Sequence, residues 1–149
     1  MRFSLTSANG AVSMTDDVVL NKCAIIERCL RRLDEEYRGH EPELEKNLLR
    51  QDSIILNLQR ACEAAIDLAM HLVRVHRLGL PQESREAFRM LEEKGMIDAE
   101  TSTRMQAMVG FRNIAVHNYQ KPSIDVVRSI LDHHLADFQR FTAAALRYS

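Results

Sequence analysis

From about Asp52 to about Leu78 the chain runs without a single glycine or proline, and its apolar residues fall on two separate helical stripes. Ile55, Leu58, Cys62, Ala65, Ala69 and Leu72 recur at alternating spacings of three and four. Ile54, Ala61, Leu68 and Val75 recur every seventh residue. A surface helix needs one apolar face, so two faces require neighbours on two sides. Asp52 with Ser53 supplies a natural N-cap, and Gly79 with Pro81 supplies the stop. The rest of the chain must therefore wrap around a buried central helix.

Four further helical segments supply the neighbours. Val19, Cys23, Ile26, Leu30, Leu33 and Tyr37 form one amphipathic stripe, bounded by Gly39 and Pro42. A shorter segment runs from about Gln82 to Glu93, turning Ala87, Phe88 and Leu91 inward, with Gly95 as its C-terminal stop. Asp98 caps a fourth, which passes through Met105, Met108 and Val109 toward Phe111. Pro122 and Ser123 restart the chain, and a last helix packs through Val127, Leu131, Leu135, Phe138, Phe141 and Ala145. The expectation is an all-α, antiparallel four- to five-helix bundle. Residues 1–15 are expected as a flexible N-terminal extension and residues 16–149 as a single helical domain. Met14 stands as an alternative start to Met1.

No apolar run approaches the roughly eighteen residues of a membrane span, and the first residues lack a signal peptide's apolar core. Cytoplasmic residence and no membrane partner are expected. The formal charge of −1 excludes a general electrostatic nucleic-acid binder. Yet 16 arginines stand against four lysines, a bias that suits bidentate contact with individual phosphates. Cys23, Cys29 and Cys62 form no Cys-x-x-Cys pair and no even-numbered disulfide framework. Cys23 and Cys62 fall on apolar helical positions, where a free thiol serves as a small hydrophobe.

Nine residues depart from this packing logic: Phe111-Arg112-Asn113-Ile114-Ala115-Val116-His117-Asn118-Tyr119. They set a permanent cation, an imidazole and a phenol into an otherwise apolar stretch, at the end of the fourth helix or in the turn after it. Arginine grips phosphate with a planar fork, and histidine exchanges a proton near neutral pH. The shorter pattern, Arg-x4-His, carries little weight, since 16 arginines and 6 histidines give about 0.6 matches by chance. Arg128 and His133 in fact supply a second one. Requiring a tyrosine two residues later removes that match, because Leu135 stands there, and leaves about 0.01 chance matches for the full pattern. Spacing alone still permits Arg112 and Tyr119 simply to tie two helices together around a satisfied His117.

On the central helix Glu63, Asp67 and His71 stand four apart, with Arg60 one turn earlier. They suit a metal site or acid–base relay, a network supporting a site or interface, or a row of mutually satisfied polar groups. Bundle metal sites draw carboxylates from several helices, and no facing Glu-x-x-His pair accompanies these. His133 and His134 are adjacent, so their directions differ by about 100°; one packs and the other is more exposed, in a structural role.

Three blocks resemble HepT-type proteins of the HEPN family in the same order. Leu58-Gln59-Arg60-Ala61-Cys62-Glu63-Ala64-Ala65-Ile66-Asp67-Leu68-Ala69-Met70-His71-Leu72 is similar to their second helix, with Met70 where many relatives carry asparagine. Arg85-Glu86-Ala87-Phe88 and Leu91-Glu92-Glu93-Lys94-Gly95 resemble the next segment. Arg112 to Tyr119 matches their Arg-x4-His-x-Tyr signature. The likeness extends from about Asp16 to the C-terminus.

The resemblance implies a HEPN-like homodimer acting as the toxin of a type VII-like toxin–antitoxin pair. It implies an endoribonuclease that cleaves tRNA or mRNA without metal or cofactor. Arg112 and His117 would be catalytic, with Asn113, Tyr119, Asp67 and His71 in support. The partner antitoxin would be a minimal nucleotidyltransferase that transfers AMP to Tyr119, adding bulk and negative charge beside Arg112. Two other readings are a non-catalytic HEPN module that binds a nucleotidyltransferase or a nucleotide, and a plain helical dimerisation protein.

Overall fold

The computed structural model describes residues 16–117 and 121–149. The expected extension 1–15, together with Asn118 and Tyr119, lies outside the described residues. Those described form six α-helices and one 3-10 turn: α1 (Asp17–Tyr37), the turn Glu41–Glu43, α2 (Leu48–Val75), α3 (Ser84–Glu93), α4 (Ala99–His117), α5 (Ile124–His133) and α6 (Leu135–Arg147). No helix among them is long and apolar enough to cross a membrane.

The two-stripe helix is central, as its pattern requires: α2 packs against α1, α3, α4 and α6. Ile54, Leu58, Ala61, Leu68 and Ala69 are fully buried along it. It begins about a turn earlier than Asp52, at Asn47, whose side chain accepts the Arg50 N–H at 3.1 Å. Its first two leucines, Leu48 and Leu49, point to solvent, so the added turn contributes nothing to the apolar stripe that marks the rest. Its end comes at Val75, before Gly79. Arg77 adopts a left-handed φ of 55°, and the N–H of Leu78 reaches back to the carbonyl of Val73 at 2.9 Å. That is a Schellman stop built on arginine where glycine is usual.

In α1 the buried stripe is Val19, Ile26, Cys29, Leu33 and Tyr37. Cys29 is therefore the core thiol, and Cys23 is only half-buried. Asp16 caps the helix by accepting the Val18 N–H at 2.9 Å. Asp98 caps α4 as its position predicts, accepting the Thr101 N–H at 2.7 Å. That helix runs on past Phe111 to His117. Its apolar period fades after Phe111 because Ile114 is half exposed, but nothing in the backbone stops it.

The expected last helix is two helices broken at His134, whose φ and ψ of −127° and 3° leave the helical region. No glycine or proline marks the break. The buried carboxylate of Asp137 holds it instead, accepting from Arg140 at 2.7 Å and lying 3.2 Å from His134 Nδ1. His134 is half-buried and His133 exposed, the division their adjacency predicts. The core closes between α3 and α6, where Phe88 and Phe141 meet edge to face at 5.2 Å.

Candidate active site around Arg112

Arg112 projects from α4 toward α2 and the first turn of α3. All three kinds of guanidinium nitrogen are engaged. Nη1 donates to Glu63 Oε1 at 2.6 Å, Nη2 to Ser84 Oγ at 3.2 Å, and Nε to the side-chain oxygen of its neighbour Asn113 at 3.0 Å. The side chain is 17% exposed. A guanidinium carries five N–H donors, so three are spent on position and two remain for a ligand. Charge, plane and height of the fork are thus set by three elements at once.

Residues 112 and 117 lie about 140° apart around α4 and about 7.5 Å apart along it. Position 113, one turn before 117, shares its face of the helix. Asn113 therefore stands between them, bonded to Arg112 on one side. The His117 side chain, like Asn118 and Tyr119, lies outside the described residues.

The row on α2 separates. Each step of four residues rotates the direction by about 40°, and each group meets a different neighbour. Glu63 holds Arg112, Asp67 pairs with Lys22 of α1 at 3.2 Å, and His71 contacts Asp16 at 2.5 Å. Arg74 approaches His71 Nδ1 at 2.9 Å. Because arginine only donates, Nδ1 is the acceptor and Nε2–H faces Asp16. That hydrogen bond is the leading cause holding the Asp16 carboxyl below its usual range, against the opposing effect of desolvation and with help from the Val18 N–H. The structure thus brings Asn113 to Arg112, while Asp67 and His71 join α2 to α1. Among the described residues no three metal-binding side chains converge.

The second Arg-x4-His match has a structural account. Arg128 donates to the Tyr37 hydroxyl at 3.2 Å and the Glu41 carbonyl at 3.1 Å, and pairs with Glu45. It fastens the 3-10 turn to α5. Beside the Arg112 site, burial pushes the Cys62 thiol up to about 12, with the Glu63 charge adding to the rise. A thiol so far from ionisation is packing material and no nucleophile.

Residues 26–145 match the family model described as Ribonuclease HepT-like. The chain belongs to the HepT-like ribonuclease family. An mRNA nuclease HepT of Shewanella oneidensis is 44% identical over 126 residues, covering 85% of this chain and 94% of the relative. The tri-AMPylated HEPN toxin of the same organism, solved in complex with an MNT antitoxin, superposes with a TM-score of 0.81 at 43% identity. It covers 87% of this chain and 96% of that one. A toxin–antitoxin structure with AMP-PNP gives the same TM-score at 42% identity, covering 87% and 98%.

Within this HepT-like fold, Glu63 and Ser84 are the residues that spacing did not single out as partners of Arg112. Glu63 was grouped by its i, i+4 neighbours on α2, whereas its partner comes from a helix 49 residues away. Ser84 is the first residue of α3, inside the segment that begins at about Gln82, where its sequence position assigns it no role. Only the packing of α2, α3 and α4 discloses the triple grip.

Proposed function

We infer that this chain is a metal-independent endoribonuclease and the toxin of a toxin–antitoxin pair, working in the cytoplasm as a homodimer whose HEPN domain spans residues 16–149. The observation that carries this reading is the fixed Arg112 fork with two N–H groups to spare, five residues before His117, in a chain 44% identical to an mRNA nuclease.

Cleavage of RNA without metal uses the ribose 2′-hydroxyl as nucleophile. A base takes its proton, the oxygen attacks phosphorus, and the departing 5′-oxygen takes a proton from an acid. Negative charge builds on the non-bridging oxygens as this happens. Arg112 meets that charge with a guanidinium already oriented, so none of its ordering cost falls on the transition state. His117 moves protons, a contribution of about 10²–10⁴-fold. One imidazole serves poorly as base and acid together, and a second copy of the chain provides the other. Asn113 orients the segment between them.

Neutralisation follows from charge. AMP transferred from a nucleotide to the Tyr119 hydroxyl, with release of pyrophosphate, leaves a phosphodiester anion two residues beyond His117. That anion competes with RNA for Arg112. Co-expression with a minimal nucleotidyltransferase antitoxin, followed by intact-mass measurement, tests this step. The expected result is added AMP on the native chain and none on Tyr119→Phe; AMP retained on Tyr119→Phe removes Tyr119 as acceptor.

A further inference from the structure

Arg85 lies in the first turn of α3, exposed, and its guanidinium crosses to α4. Nε donates to the Gln106 carbonyl at 3.3 Å. The end of the side chain lies over Gly110: a Cβ built on that glycine would meet Arg85 Nη2 at 2.7 Å. Glycine inside a helix costs about 1 kcal/mol relative to alanine, and here its missing methyl is what admits the guanidinium.

Arg85 and Arg112 line one cleft of about 200 Å³, with Glu83, Ser84, Val109 and Asn113. The two cations differ in one respect. Arg112 is neutralised by Glu63. Among the described residues Arg85 has no carboxylate partner, since Glu83, the acid of the cleft, pairs with Arg89 at 3.5 Å. Gln106, which receives Arg85 on its carbonyl, turns its side-chain oxygen to Arg89 at 3.1 Å. The terminal nitrogens of Arg85 thus remain available beside a guanidinium already committed to position.

We propose that Arg85, seated over Gly110, binds an RNA backbone phosphate adjacent to the one that Arg112 engages. This rests on the ribonuclease reading above and extends it to a substrate subsite. An unneutralised planar fork suits a phosphodiester, and a backbone contact of this kind positions the strand without reading its bases. The cleft places that phosphate on the α3 side of Arg112.

The test measures binding of a fluorescent single-stranded RNA by the full chain carrying His117→Ala, across a salt series, with and without Arg85→Gln. Losing one phosphate contact lowers the log–log salt slope by about 0.7. In the cleavage-competent chain, Arg85→Gln raises KM by about tenfold and leaves kcat within about twofold. Gly110→Ala is the second variant. It keeps every charge and improves the helix, yet its methyl displaces the Arg85 guanidinium, so KM rises while Tm holds or increases. An unchanged slope and KM in Arg85→Gln overturns the subsite even if RNA is cleaved. So does a variant that loses antitoxin binding but keeps its RNA affinity, which would assign Arg85 to a protein interface. If the slope falls but the parent chain cleaves nothing, the subsite stands and the ribonuclease reading fails.

Discussion

Glu63 of α2 and Arg112 of α4 meet at 2.6 Å across 49 residues of sequence, and the carboxylate is 43% exposed while the guanidinium is 17% exposed. So open a pair contributes little to stability, less than about 1 kcal/mol. Its effect is on where the guanidinium points. Glu63→Ala is expected to lower kcat by about 10- to 100-fold with a small change in Tm, and Glu63→Gln, which keeps an acceptor, to fall between. Steady-state kinetics beside thermal unfolding check this. A large loss of Tm with kcat intact would make the pair a structural strut.

Asp16 and His71 make stability depend on pH. The folded carboxyl of Asp16 sits below its ordinary range, first because His71 donates to it. In the unfolded chain that partner is gone and the value returns to about 3.9. A depressed carboxyl stabilises fully above the unfolded value and loses that contribution as pH falls through the folded one. Wild type is therefore expected to unfold at higher urea than Asp16→Asn near neutral pH, with the gap closing in acid below the ordinary carboxyl range. Urea midpoints at several pH values read the difference, and a constant gap down to the lowest pH would contradict it.

Asp137 is the pin at the α5–α6 break. It is 3% exposed and accepts from Arg140 at 2.7 Å. Asp137→Ala leaves Arg140 without its acceptor and is expected to cost about 1–3 kcal/mol, read from the urea midpoint at unchanged m-value. A shift below about 0.3 kcal/mol, within the usual range for surface substitutions, would show that the break is held by packing alone.

Much of the helical architecture is legible because it is written in apolar period: the two stripes of α2 apart from the half-buried Ile55 and the exposed Val75 at their ends, the inward face of α3 and the Asp98 cap of α4 stand where the pattern puts them. The misses have two causes. The first turn of α2 and the last turns of α4 turn apolar residues such as Leu49 and Ile114 outward, so no stripe marks them. The break at His134 is fixed by a buried carboxylate, while the apolar spacing runs on across it. The site divides in the same way. Arg112 was visible because a cation interrupts an apolar stretch, whereas Glu63, Ser84 and Arg85 become its neighbours only when three helices pack. Asp67 and His71 share a stripe with Glu63, but the 40° drift per step carries them to α1.

The most direct test of the account is cleavage of a labelled single-stranded RNA by the purified chain in EDTA, compared with Arg112→Ala and His117→Ala. The account predicts cleavage by the native chain, with a loss of about 10²–10⁴-fold in His117→Ala and of at least about 10²-fold in Arg112→Ala. Intact RNA with the native chain, or equal cleavage by all three proteins, would contradict it.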